Sequence, residues 1–225
     1  MKPKLILGSN NPELPHPIVY RGAVFADATD FDKCVALWLH ALDIKQNKLP
    51  NTPVAKDVLR FAQVFSEMFL LGVKIKFDDF LLVLRATAAE MAGNVNRLEN
   101  IDKGEDAFDD PDTIIEELES NMLTFLYLMV VFGKIGGEES DLFSAMKIIH
   151  YVVAEIKPKS WKTGRTLIHL AVDSETVIND FHIRDVVRFP CSKTAKLLIE
   201  VMFLFHYIMG AFKMPNSKKG LGILG

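Results

Sequence analysis

The stretch YRGAVFADATDFDKCVALWLHAL, residues 20–42, predicts a helical hairpin and sets the fold class. Gly22 on the first helix allows close approach of the second helix, and Phe25 fills the space one turn later. The second helix repeats a small–large–small pattern along one face, at Cys34, Trp38 and Ala41. The pattern predicts that the two helices pack directly against each other.

This spacing matches a tetratricopeptide unit, in which small residues lie where two helices cross and aromatic side chains fill the gaps beside them. An ordinary helical pair with a tryptophan in its core is the alternative that the spacing leaves open. Either Thr29 or Asp30 can cap the second helix. Both alternatives predict two helices joined by a tight turn.

Most of the remaining chain also has helical periodicity, with apolar residues at three- and four-residue spacing. The stretch AKDVLRFAQVFSEMFLLG, residues 55–72, is typical, and SDLFSAMKIIHYVVAEIK, residues 140–157, predicts a helix that ends before Pro158. Strand signals are weak throughout. We therefore predict an all-α fold, and the many amphipathic helices joined by tight turns favour an α-solenoid over a compact bundle.

The composition of the 225 residues argues against several classes of partner. The formal charge of −3 gives no global basic field for nucleic acid. The two cysteines are far apart in sequence and form neither a disulfide framework nor a zinc cluster, so we expect a reducing compartment, cytoplasmic or alternatively nuclear. The apolar run near the start is too short for a signal peptide.

The stretch GRTLIHLAVD, residues 164–173, fits the start of an ankyrin repeat, Gly-x-Thr-Pro-Leu-His-Leu-Ala, with a leucine in place of the proline. In that motif the threonine and histidine fix the turn through side-chain to backbone hydrogen bonds, and the leucine and alanine face the next repeat. We therefore predict a structural histidine rather than a catalytic one. The matching positions are Gly164, Thr166, Ile168, His169, Leu170 and Ala171.

The second helix of the ankyrin-like repeat is SKTAKLLIE, in which Leu197 and Leu198 hold the packing positions. In an ordinary ankyrin repeat the second helix begins about a dozen residues sooner. In this chain an insert lies between the two helices. The densest polar group of the chain falls in that insert and is either a partner contact or, the favoured alternative, a set of ion-paired loop residues. Its members are Asp180, His182, Arg184 and Asp185.

These features, in this order, resemble the middle of fem-one homologues, the feminization-protein family. The resemblance spans roughly residues 5–200. Its most specific segments are HPIVYRGAVFAD and TLIHLAVD, the second followed by DFH, a further Asp, FP and KLL. It implies a substrate receptor of a cullin-two RING ubiquitin ligase, which binds and positions its substrates while other subunits carry out the chemistry. It also implies protein partners: substrates, a dimer partner of the family, and elongin and cullin in the full-length form.

Two parts of the family pattern are absent from this sequence: the N-terminal ankyrin array, which supplies most of the degron pocket, and the C-terminal elongin–cullin box. We predict an opening segment at 1–13, a tetratricopeptide-like region at 14–160, an ankyrin-like repeat with its insert at 161–200, and an atypical apolar and basic tail at 201–225. The family would continue after Glu200 with a Gly-Ala turn and a further repeat, so we expect that the tail comes from a gene model or transcript that runs past an exon end. A membrane anchor is the less favoured alternative for it.

An enzyme is not expected. No nucleophile-elbow sequence is present, and the six histidines are scattered without metal-ligand spacing. We therefore predict no catalytic residue, no metal and no cofactor. A general ankyrin and tetratricopeptide interaction scaffold, with no link to ubiquitin, is the alternative that the fold alone leaves open.

Overall fold

The computed structural model describes residues 13–49, 52–102, 110–177 and 186–212, with the side chains of 102 and 204–212 left aside. The prediction of an all-α fold is confirmed in these ranges, where the only β-type pairing is an isolated bridge between Lys159 and Thr166. The helices are α1 Pro15–Asp27, α2 Phe31–Lys48, α3 Ala55–Leu70, α4 Phe77–Asp102, α5 Pro111–Phe132, α6 Glu139–His150, α7 Leu167–Val172 and α8 Ser192–Phe212.

The helices stack as a two-layer α-solenoid. From α1 to α5, consecutive helices pack against each other, as α1 does on α2 and α4 on α5. Helices two apart in the chain also touch: α2 contacts α4, α3 contacts α5, and α4 contacts α6. This contact pattern puts odd-numbered helices in one layer and even-numbered helices in the other through α6.

A ladder of aromatic rings runs through the core from α2 to α5. Neighbouring ring centroids along it lie between 5.8 and 6.3 Å apart. Pairs at this separation contribute about 0.5–1.5 kcal/mol each beyond the burial of their area. The ladder therefore couples successive hairpins into one folding unit. Its members are Trp38, Phe61, Phe65, Phe80 and Phe132.

Two helix ends differ from the sequence-based prediction. The helix expected to run up to Pro158 ends as an α-helix at His150 and continues as a π-helical turn over Tyr151–Ile156. The helix α8 continues unbroken past Glu200, where the predicted helix SKTAKLLIE ends, and runs to Phe212; the predicted boundary between repeat and tail stays a prediction. Among the described residues, no helix has the length and apolar content needed to cross a membrane.

Candidate protein-binding groove

A groove of about 1030 Å³ lies between α1, α3 and α5, and side chains of α2 also line it. The groove follows from the stacking of the odd-numbered layer, because each of these helices contributes one wall. Its most accessible aromatic side chain is that of Tyr20, which is 74% exposed. The charged side chains along it include Lys56, Arg60, Glu116 and Glu117.

The wall of the groove nearest α1 depends on a close contact between glycine and tryptophan. A Cβ atom built on Gly22 would lie 2.3 Å from the Nε1 atom of Trp38, so only glycine fits there without a shift. The Nε1 group of Trp38 donates a hydrogen bond of 2.9 Å to the carbonyl of Val19. The same indole packs edge-on against Phe61. This set of contacts fixes the distance between α1 and α2.

The remaining residues predicted in the first hairpin lie around this contact. The ring of Phe25 is covered by the guanidinium of Arg21, 4.9 Å from its centroid, and packs against the core. Ala41 is buried in a small apolar cluster with Leu14. Burial raises the pKa of the Cys34 thiol to about 12, so it is held as an unreactive thiol. Their structural roles stay predictions, and these positions support them.

A buried carboxylate joins α2 and α3 at the floor of the groove. Asp57 is only 6% exposed, and its two oxygens accept from the Lys45 ammonium and the Arg60 guanidinium, each at 2.6 Å. Lys45 is itself mostly buried. The pair of cations compensates the carboxylate, so breaking the cluster would leave an unpaired buried charge.

A polar chain ties α5 to α4 on the opposite wall. Glu117 accepts from Arg97 and from the side-chain amide of Asn94, each at 3.2 Å. Asn94 in turn accepts from the amide of Asn121 at 2.9 Å. Both asparagines are fully buried, and the chain leads from the groove wall into the core. The groove thus presents fixed charges of both signs, which suits the reversible binding of a polypeptide.

A second groove, of about 790 Å³, lies between α2 and α4 in the even-numbered layer. Glu90 lines it, and burial raises the pKa of this carboxyl above its ordinary value. A hydrogen bond from Gln46 offsets part of that shift. The raised pKa marks a carboxylate that loses hydration on folding.

The ankyrin-like motif begins where the sequence places it. Gly164 has a φ of +70°, which is a conformation that favours glycine. The backbone N–H of Thr166 donates to the Nδ1 atom of His169 at 3.3 Å, and the threonine hydroxyl lies 2.9 Å from the same nitrogen. This geometry makes Nδ1 an acceptor and holds the ring against the first turn of α7. It supports the predicted structural role of the histidine.

The predicted packing residues of the repeat lie on α7 and α8, which contact each other. Ala171 and Leu198 are fully buried. Leu170 and Leu197 are half-buried and pack against the same core. The four predicted contact residues of the insert, Asp180, His182, Arg184 and Asp185, lie outside the described residues, so their role stays a prediction.

Apart from Trp38, the residues of the groove are not among those that the sequence predicts. Tyr20, Lys56 and Glu116 are on three different helices, and no local motif marks them. The one available signal was the inferred solenoid, in which helices of one layer line a shared surface. A helical register for each hairpin would have placed these side chains on that surface.

Several known proteins are similar to this chain in amino-acid sequence. The chain is 31% identical over 204 residues to protein fem-1 homolog C of Xenopus laevis and 32% identical to that of Bos taurus. It is 29% identical over 204 residues to fem-1 homolog A of Danio rerio. The chain is a partial match to the fem-1 family. Each of these alignments covers 87% of the chain but only 30% of the fem-1 relative. No protein-family model matches the chain.

Proposed function

We propose that this fem-1-like chain is part of a substrate-recognition subunit of a cullin–RING ubiquitin ligase. In this role it acts as a non-catalytic adaptor, and the groove between α1, α3 and α5 holds a segment of a protein partner. The observation that carries the proposal is the similarity to fem-1 homologues across 87% of the chain. The groove supports it with accessible aromatic and charged side chains on a fixed helical frame.

The ligase assignment is tested by tagging, at its own locus, the full-length form that the family resemblance implies would carry the elongin–cullin box, and purifying it from cells treated with a proteasome inhibitor. Quantitative mass spectrometry should recover elongin and cullin-two subunits together with ubiquitinated client proteins. Recovery of clients with no ligase subunit would overturn the ligase link and favour a general interaction scaffold.

The role of the groove is tested in the same purification with Tyr20→Ala combined with Lys56→Glu. Both side chains are exposed and line the groove, so the change should leave the fold intact. We expect client recovery to fall while the ligase subunits remain. The matched control combines Tyr151→Ala with Lys193→Glu, two exposed residues that do not line the groove. Equal client recovery from both variants would contradict the assignment of the groove.

A further inference from the structure

A short basic hairpin, residues 157–166, follows the π-helical turn and is here named the basic finger. Lys157 starts it in the left-handed region, at a φ of +51°. A bridge pairs Lys159 with Thr166, and the N–H of Ser160 donates to the carbonyl of Arg165 at 2.8 Å. The two arms are therefore held together by backbone hydrogen bonds.

The finger is also anchored to the body of the protein. The hydroxyl of Ser160 donates to the carboxylate of Glu119 on α5 at 2.8 Å. The same hydroxyl oxygen accepts from the N–H of Thr163 at 3.2 Å. Trp161 is half-buried and packs against the main core. These contacts fix the backbone of the finger relative to α5 before any partner binds.

Burial alternates along the first arm of the finger. Pro158 and Ser160 are buried, whereas Lys157 and Lys159 are exposed, and Lys162 is exposed in the turn. None of these three lysines forms an ion pair within the part of the chain that the structure describes, where the nearby Arg165 is paired with Asp173. The finger thus presents three exposed lysines that have no ion-pair partner among the described residues, on a backbone that is already held in place.

We propose that the basic finger binds an extended acidic peptide of a partner protein. Side chains two apart in an extended chain point to the same side at a spacing of about 6.6 Å. Lys157 and Lys159 are exposed on either side of the buried Pro158, and Lys162 is exposed in the turn, so carboxylates at alternate positions of an extended peptide can meet these lysines. A peptide fits better than nucleic acid, because three lysines neutralise only about three phosphates and the net charge of −3 supplies no wider basic field. The inference is independent of the ubiquitin-ligase role.

The test uses fluorescence anisotropy with a fluorescein-labelled peptide of alternating glutamate and serine. Lys159→Glu combined with Lys162→Glu should weaken binding by roughly five- to tenfold, because two attractive contacts become repulsive. Binding to the unaltered chain should also weaken as salt rises from low to physiological ionic strength.

The matched control combines Lys48→Glu with Lys74→Glu, which changes the net charge equally at exposed lysines elsewhere in the chain. Thermal melts of both variants establish that each remains folded. An equal loss of binding in the two variants would overturn the proposal, since net charge alone would then account for it. Tighter binding of a single-stranded oligonucleotide or of anionic lipid vesicles than of the peptide would also overturn it.

Discussion

Gly22→Ala tests the closest contact in the solenoid, between α1 and the indole of Trp38. The new Cβ would lie 2.3 Å from Nε1 and 2.4 Å from Cδ1 of that ring. Helix propensity favours alanine by about 1 kcal/mol. Overpacking costs about 1–3 kcal/mol, and losing the hydrogen bond to Val19 costs about 0.5–1.5 kcal/mol. We therefore expect a net loss of about 0.5–3.5 kcal/mol in the free energy of unfolding.

The matched control is Gly93→Ala, the same change in the interior of α4, where a Cβ would meet nothing within 4 Å. It should stabilise the protein by about 0.5–1 kcal/mol. Differential scanning calorimetry should show a Tm fall of about 1–14 °C for Gly22→Ala and a rise of about 1–4 °C for Gly93→Ala. If Gly22→Ala stabilised the chain as much as Gly93→Ala does, the inferred contact with Trp38 would be refuted.

Three further predictions concern stability measured by urea unfolding. Gly164→Ala should cost about 1 kcal/mol, because its φ of +70° disfavours a side chain; no loss would argue against this turn. Asp57→Ala should cost about 2–4 kcal/mol, because it leaves Lys45 buried and unpaired, whereas Asp32→Ala, in an exposed pair, should cost less than about 1 kcal/mol. Burial raises the pKa of Glu90 above the unfolded value of 4.5, so the fold favours the protonated carboxyl over the ionised one. The stabilisation from the protonated form is present below pH 4.5 and is lost as the pH rises through the folded-state pKa. Glu90→Gln should therefore stabilise the chain at pH 7 but not at pH 4, and an equal effect at both would contradict that shift.

Local pattern was enough to predict the helices and the first hairpin. The small and large residues at Gly22 and Trp38 encode their contact directly, since only glycine leaves room for an indole at a helix crossing. The sequence offers two residues, Thr29 and Asp30, as the cap of α2. The structure puts Asp30 there, accepting from the N–H of Lys33 at 3.4 Å, while Thr29 adopts a φ of +56°.

Features that depend on tertiary stacking could not be predicted in the same way. The carboxylate of Asp57 is buried only because α2 brings Lys45 beside it, and nothing in the local sequence of α3 marks that partner. The π-helical turn over Tyr151–Ile156 has the same apolar periodicity as an α-helix, so the sequence does not predict the change of helix type. The groove likewise exists only once three hairpins are stacked.

The central claim is that the stacked odd-numbered helices bind protein partners in their shared groove. Two exposed tyrosines allow a direct test, because Tyr20 lines this groove and Tyr151 does not. Each is replaced in turn by the photo-cross-linking residue benzoylphenylalanine, and the cross-linked partners are quantified after irradiation of cells. We expect strong capture of partner proteins from the Tyr20 position and little from the Tyr151 position. Equal capture at both, or greater capture at Tyr151, would contradict it.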